Sequence, residues 1–254
     1  MGAGHAHALY VHEHSSVHRL PPETKLVAAF LFIVAVAITP REAVWAFALH
    51  AAMLALLVAA ARVPLGFLLL RLLAILPFVA FAFLIPFVAS GERIAVVGVE
   101  VSREGLWGAW NILAKATLGA ATSVVLAATT EVPDLIRGLS SLRAPAVLVS
   151  IAAFMMRYLE LIAEELGRMR MAMVARGYDP SWLGQAKPIS TAAGAMFVRS
   201  YERGERVHSA MLARGYTGAM PALGIARASW SDWLLAMSFP VAGVVVTGIA
   251  LAVT

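Results

Sequence analysis

Long apolar runs separated by short polar stretches dominate the sequence. The five apolar runs cover residues 26–39, 43–61, 65–89, 105–130 and 230–254. Because a helix needs about 20 residues to cross roughly 30 Å of hydrocarbon, the last four runs are long enough to span a bilayer. The first run is shorter and could be a tilted span, a re-entrant segment or one arm of a short hairpin. The pattern predicts an all-α, polytopic membrane helix bundle with about five spans.

The composition agrees with a protein that is largely covered by lipid. Hydrophobic residues make up 61% of the chain, whereas soluble domains are typically about 45–50% apolar. The chain has no cysteine, which excludes disulfides, thiolate metal sites and cysteine nucleophiles. The first 24 residues are polar and His-rich and lack the apolar core of a signal peptide. We therefore expect the first run to be retained as a membrane helix.

Residues 131–229 differ from the rest of the chain because they are rich in charge. This section holds 12 of the 20 Lys and Arg residues and 8 acidic residues. It is typical of amphipathic helices that lie outside the bilayer. The predicted organisation is a His-rich N-terminal tail (1–24), a transmembrane bundle (25–130), a domain of long amphipathic helices outside the bilayer (131–229) and a C-terminal transmembrane helix (230–254).

The basic residues predict the orientation of the spans. With the N-terminus inside and five crossings, 16 Lys and Arg residues lie inside and 3 lie outside. The positive-inside rule then places the N-terminus and residues 131–229 in the cytoplasm. It also explains the net charge of +5 without a nucleic-acid partner. Residues 90–104, in an outer loop, alternate β-branched residues as a small hairpin does.

A regular apolar stripe runs along the longest predicted helix, over residues 146–176. Its members recur at spacings of four and three residues, as in a coiled-coil seam, and they are Met155, Leu159, Ile162, Leu166, Met169 and Met173. Such a seam either packs against another helix of the same chain or contacts a partner. Methionine suits surfaces that must repack, which slightly favours a moving contact. Residues 146–156 are apolar all round and could touch the membrane.

A hexapeptide that occurs twice is the most specific feature of the sequence. Residues 173–178 read MVARGY, and residues 211–216 read MLARGY. Glycine just past a helix end and arginine in the last turn form a good helix C-cap, which could be their only role. A second possibility is that each arginine, held at a rigid helix tip, pairs with a carboxylate in a partner's groove. The repetition favours this second interpretation.

These features resemble the transmembrane T component of energy-coupling factor (ECF) transporters, in particular the cobalt-system CbiQ family. The resemblance covers nearly the whole chain, from the N-terminal bundle to the final span. It includes the two Ala-Arg-Gly motifs, the segment from Pro133-Asp134-Leu135 to Pro145, and Arg157-Tyr158 with Glu160 and Glu164. The opening sequence of residues 18–26, HRLPPETKL, is similar to the start of the cobalt-system members.

The resemblance implies a mechanical role in a prokaryotic plasma membrane. In that family the two motifs are the tips of coupling helices, and each inserts into one of two ABC-type ATPase subunits. The corresponding tip residues are Ala175, Arg176, Gly177, Ala213, Arg214 and Gly215. Closure of the ATPases would move the coupling helices and reorient a separate substrate-binding membrane subunit, the S component. ATP and Mg²⁺ would bind to the ATPases, and this chain would hold neither a cofactor nor catalytic residues. The absence of a G-x-x-x-x-G-K-[ST] loop agrees with this.

Two other groups of residues suggest alternatives. A cluster of histidines near the N-terminus could weakly bind a metal ion such as Co²⁺, Ni²⁺ or Zn²⁺, or could simply belong to a solvated tail; its members are His5, His7, His12, His14 and His18. Lys115 and Asn111 lie within the fourth run, where polar groups are costly and often functional, although a lysine can also bond to neighbouring helix carbonyls.

Two further functions are alternatives to the coupling subunit. A membrane-embedded metal-dependent enzyme would need clustered ligands at the spans. A stand-alone carrier would need more polar groups at mid-membrane. For the coupling subunit we expect cobalt as the cargo, with nickel or a vitamin as the alternatives.

Overall fold

The structure is a computed structural model that describes residues 10–11, 13, 15–96, 99–178, 187–218 and 228–253. Two compact units divide this part of the chain. The first, here called the bundle, contains six helices before residue 142, a short hairpin and the last helix. The second, here called the coupling unit, contains the two long helices in between. The fold is all-α apart from the hairpin, as predicted.

The bundle is built around its first helix. Phe32 and Val36 of this helix are fully buried, and they pack in one core with Phe47, Leu54 and Val125. The elements in chain order are α1 (Pro22–Ile38), α2 (Val44–Ala61), α3 (Leu65–Leu72), α4 (Leu76–Val88), β1 (Arg93–Val96), β2 (Val99–Ser102), α5 (Arg103–Thr129), α6 (Val132–Ser141) and α9 (Trp230–Val253). Helices α5, α6 and α9 all pack against α1, so α1 is the central helix.

The third apolar run forms two helices joined by a 3-10 turn, Leu73–Ile75. Pro77 lies at the start of α4, where a residue without a backbone N–H is tolerated. The 3-10 turn comes directly before α4, so Pro77 lies in the first turn of a new helix and not inside a continuous one. The predicted hairpin is confirmed, since β1 and β2 pair antiparallel with Arg93 opposite Ser102. Ser102 then caps α5, because its Oγ accepts a hydrogen bond from the Gly105 N–H at 3.2 Å.

The first turn of α1 is polar and buried, which the apolar run did not indicate. Glu23 accepts a hydrogen bond from the Ala228 N–H at 3.1 Å, and Lys25 Nζ donates to the Thr129 carbonyl at 2.7 Å. Gly138 of α6 lies so close that an added Cβ would be 3.1 Å from the Glu23 nitrogen. The first turn of α1 therefore holds α6, the end of α5 and the approach to α9 together.

Among the residues that the structure describes, five helical segments are long and apolar enough to cross a membrane: Val44–Ala61, Leu65–Val88, Arg103–Thr129, Ala146–Ala175 and Trp230–Val253. Four of these five segments match predicted apolar runs, and one does not. The set omits α1, whose 17 residues extend only about 25 Å. It includes the longest helix of the coupling unit, because the first half of that helix is apolar. Its location outside the bilayer stays a prediction.

The coupling unit consists of α7 (Ala146–Ala175) and α8 (Lys187–Ala213). The prediction of one helix over residues 146–176 is confirmed to within one residue. The two helices run antiparallel, since Glu165 near the middle of α7 contacts Arg199 and Arg203 of α8, whereas Tyr158 lines the same cavity as Met211 and Tyr216. As the residue numbers rise along α7, those of its neighbours on α8 fall.

Candidate partner-binding site at two helix tips

The first repeated hexapeptide ends α7 in a Schellman motif. The N–H groups of Arg176 and Tyr178 both donate to the Met173 carbonyl, at 3.0 and 3.1 Å. The Gly177 N–H donates to the Val174 carbonyl at 2.9 Å. Gly177 has φ +78°, a left-handed conformation that glycine adopts without the clash a Cβ would cause. Residues 175–177 are called the α7 tip below.

The second hexapeptide ends α8 with the same bonds. The N–H groups of Arg214 and Tyr216 donate to the Met211 carbonyl, each at 3.0 Å. The Gly215 N–H donates to the Leu212 carbonyl at 3.0 Å, and Gly215 has φ +82°. Residues 213–215 are called the α8 tip below. The sequence repeat is thus also a repeat of backbone geometry, to within about 0.1 Å in its hydrogen bonds.

All six tip residues are exposed. A Cβ added at Gly177 or at Gly215 would meet nothing within 4 Å, so open space surrounds both tips. Within the described ranges, neither Arg176 nor Arg214 forms a salt bridge or a side-chain hydrogen bond. An exposed guanidinium offers five donors in a planar fork, which suits a carboxylate or a phosphate.

The two tips are far apart in the coupling unit. Arg214 lines the same cavity as Arg157 of α7. From Arg157 to Arg176 a rise of about 1.5 Å per residue gives roughly 30 Å along α7. Because α7 and α8 are antiparallel, their tips also point in opposite directions. One small ligand cannot bridge both arginines.

The predicted seam on α7 is split by its contact with α8. Ile162, Met169 and Met173 are half-buried, whereas Met155, Leu159 and Leu166 are exposed. Glu165 is buried on the helix face that meets α8, and it accepts bonds from Arg199 at 3.2 Å and Arg203 at 3.1 Å. The face that meets α8 therefore overlaps the apolar stripe only in part. An ion-paired clasp, defined as Glu165 with Arg199 and Arg203, joins the two helices.

Comparison with known proteins identifies the family. Residues 13–223 match the sequence family described as cobalt transport protein, CbiQ. The chain belongs to the CbiQ family. It is 31% identical to the energy-coupling factor transporter transmembrane protein EcfT of Bacillus subtilis over 226 residues, which cover 82% of this chain and 83% of that protein. It is 27% identical to the cobalt transport protein CbiQ of Rhodobacter capsulatus over 198 residues, or 76% and 78% of the two chains.

A third relative, an uncharacterized protein of Methanocaldococcus jannaschii, is 29% identical over 163 residues; the match covers 63% of this chain and 58% of that protein. Membership of the CbiQ family makes the chain a multi-pass membrane component of an ECF-type transport system and not an enzyme.

His18 of this CbiQ-family chain has a structural role. Its Nε2–H donates to the Val11 carbonyl at 3.1 Å, and its Nδ1 lies 2.8 Å from the Ser15 hydroxyl. With both ring nitrogens engaged, His18 has no free lone pair for a metal in this arrangement. Its pKa lies below the usual value of 6.5 because burial disfavours the imidazolium. The other predicted ligands, His5, His7, His12 and His14, lie outside the described residues.

The described part of the chain brings together no group of three or more His, Cys, Asp or Glu residues that could hold a metal ion. Lys115, the ionisable residue within a span, donates from Nζ to the Ala37 carbonyl at 2.7 Å. Ala37 lies in the last turn of α1, where carbonyls lack a partner within the helix. Lys115 thus caps α1 from the side of α5.

Two parts of the site escaped the sequence analysis. One is the ion-paired clasp, although Arg199 and Arg203 at spacing four, on one face of α8, are a typical arrangement for gripping a carboxylate. The other is the cavity beside the α8 tip, of about 800 Å³. We call it the tip cavity, and its lining residues are Phe154, Arg157, Tyr158, Val207, Ala210, Met211, Arg214, Gly215, Tyr216 and Thr217. No spacing along one helix could reveal it, because two antiparallel helices contribute to it.

Proposed function

We propose that this chain is the coupling T component of an ATP-driven importer. Each arginine tip docks into one of two ABC-type ATPase subunits, and a separate S component binds the cargo. The N-terminus and the coupling unit face the cytoplasm, where ATP is available. The observation that carries the proposal is the repeated, exposed tip: the same cap, with an arginine that has no partner in the described ranges, closes both helices.

The geometry of the tips supports two separate docking sites. Roughly 30 Å along α7 separates the arginines, and the helix ends point in opposite directions. A guanidinium at each tip can form a bidentate, charge-assisted pair with a carboxylate in a groove. The left-handed glycines carry no side chain, so a partner's backbone can approach each tip closely.

The coupling unit has the stiffness that a force-transmitting element needs. Helices α7 and α8 contain 30 and 27 residues, or about 45 and 40 Å. The clasp fixes them to one another near their middle, while half of the apolar seam stays exposed. On this proposal, motion of the ATPases at the tips is carried by both helices to the membrane.

We propose the cobalt ion as the cargo. The family description and the Rhodobacter capsulatus relative both name cobalt transport, whereas the name of the Bacillus subtilis relative specifies no cargo. The test is uptake by cells that express the chain with its two ATPases and its S component. We expect ATP-dependent accumulation of Co²⁺ and none of biotin; preferred uptake of Ni²⁺ or of biotin would reject cobalt.

The test of the tips is capture of each ATPase by the purified chain in nanodiscs. We expect Arg176→Glu to lose one ATPase, Arg214→Glu to lose the other, and the double variant to lose both together with uptake. Arg170→Glu on α7 and Arg206→Glu on α8 are matched controls, because both residues are exposed and lie before the tips. Wild-type capture and uptake in the double variant would reject the proposal.

A further inference from the structure

A second arginine lies beside one of the tips. Arg157 of α7 and Arg214 of α8 line the tip cavity together, and both are exposed. Neither forms an ion pair with any residue that the structure describes. Two like charges at one cavity repel each other, and an anion between them removes that repulsion. The cavity is therefore electropositive and suits an anionic ligand.

The remaining walls of the tip cavity narrow the choice of anion. Phe154, Tyr158 and Tyr216 contribute aromatic rings, and Met211 adds a thioether. Aromatic residues and arginine are the side chains that dominate the centres of protein interfaces. A free phosphate would pair with the arginines but leave the aromatic wall uncovered. A peptide segment can present a carboxylate and an apolar side chain at the same time.

We propose that the tip cavity is a composite docking site for an acidic, partly apolar segment of one ATPase subunit, gripped by Arg214 of the α8 tip and Arg157 of α7. This inference rests on the proposed function, and it adds a residue outside the repeated motif. Arg157 lies roughly 30 Å from Arg176 along α7. It is too far away to reach a partner at the α7 tip. The two ATPases are therefore held by unequal sets of residues.

The test measures the affinity of each ATPase separately for the full-length chain in nanodiscs of neutral phosphatidylcholine. The variants are Arg157→Gln, Arg157→Lys, Arg214→Gln and Arg176→Gln, with Arg170→Gln as the control on the same helix. We expect Arg157→Gln to weaken one ATPase about tenfold, the size of a charge-assisted bond, and to leave the other unchanged. The weakened ATPase must be the one that Arg214→Gln also weakens. Arg157→Lys keeps the charge but loses the fork, so its effect should be smaller.

A double variant supplies the second criterion. If Arg157 and Arg214 grip one segment, the loss in Arg157→Gln plus Arg214→Gln is smaller than the product of the single losses. Wild-type affinity in Arg157→Gln, with a loss in Arg214→Gln, overturns this inference and leaves the proposed function standing. Equal weakening of both ATPases by Arg157→Gln also overturns it.

Two further outcomes separate the remaining explanations. An effect of Arg157→Gln that appears only when the nanodiscs contain anionic phosphatidylglycerol would assign the cavity to a lipid headgroup and overturn the inference. Wild-type affinity of both ATPases in Arg176→Gln and in Arg214→Gln would instead overturn the proposed function itself.

Discussion

Gly243 of α9 faces the buried ring of Phe32, so alanine at this position should overpack the core. A Cβ at Gly243 would lie 3.0 Å from Cδ2 and 3.3 Å from Cε2 of Phe32. Phe32 is fully buried, with its ring centroid 4.4 Å from that of Phe239 and 5.5 Å from that of His50. His50 is itself fixed, because its Nδ1 donates to the Ala46 carbonyl at 2.7 Å. The Phe32 ring has little room to give way.

The size of the effect follows from comparison with a second glycine of the same helix. Overpacking a well-packed core costs about 1–3 kcal/mol. Alanine in a helix recovers about 1 kcal/mol relative to glycine, and this gain is shared by Gly248→Ala, where the added Cβ would meet nothing within 4 Å. The two variants should therefore differ in unfolding free energy by about 1–3 kcal/mol. At roughly 2–4 °C per kcal/mol for a chain of this size, the difference in Tm is about 2–12 °C.

Thermal unfolding of both variants, purified in the same nanodiscs, provides the measurement. We expect Gly248→Ala to unfold at or above the wild-type temperature and Gly243→Ala at or below it. Adding Phe32→Leu to Gly243→Ala should cost less than Phe32→Leu costs alone, because the smaller side chain relieves the contact. Equal Tm values for Gly243→Ala and Gly248→Ala would refute the close approach of α1 and α9.

Two more predictions concern the polar end of α1. Lys25→Met leaves the buried Thr129 carbonyl without its 2.7 Å donor, so the free energy of unfolding should fall by about 1–3 kcal/mol. The control Lys187→Met, at an exposed position, should have almost no effect. Equal Tm values for the two variants would contradict the role of Lys25. Burial lowers the pKa of His18 below 6.5, so the unfolded chain binds more protons than the folded chain in the pH range between the two pKa values. The neutral imidazole therefore contributes stability above pH 6.5, and this stability is lost as the pH falls towards the folded pKa. The Tm of the wild type should therefore fall more than that of His18→Gln between about pH 8 and about pH 5, and parallel curves would contradict it.

Periodicity and length were sufficient to predict the helices whose environment is uniform. The second, fourth and last apolar runs became α2, α5 and α9 almost without change of boundary. The start of α1 could not be predicted in this way. Pro22 begins the helix with a suitable fixed φ, and the charge of Glu23 stabilises the first turn. In the sequence, however, the two residues resemble part of a polar linker before the apolar run. Glu23 is buried by the approach of α6 and of the residue Ala228 before α9, which no local pattern records.

The contact between α7 and α8 shows a different limit. The seam beginning at Met155 correctly predicted a long amphipathic helix, since only the spacing matters for that. It did not predict which face meets α8, because a carboxylate occupies the centre of that face. Glu165 is counted as polar in any hydrophobic pattern, but two arginines compensate its charge, and it is more buried than Leu159 or Leu166. Burial of an ion pair depends on the partner helix, so one helix alone cannot reveal it.

The structure also bears on the two explanations of the repeated hexapeptide, a helix cap and a partner-docking tip. A helix cap accounts for the glycines through their positive φ, and for positions 178 and 216 through N–H bonds to Met173 and Met211. The arginine side chains add no hydrogen bond to either cap within the described ranges, so what they give the cap is limited to their charge near the negative helix end. Alanine at those positions would close the same backbone bonds. The cap and the proposed docking role are therefore compatible. The cap fixes the backbone that carries each arginine, and on the proposed function a partner subunit binds the guanidinium.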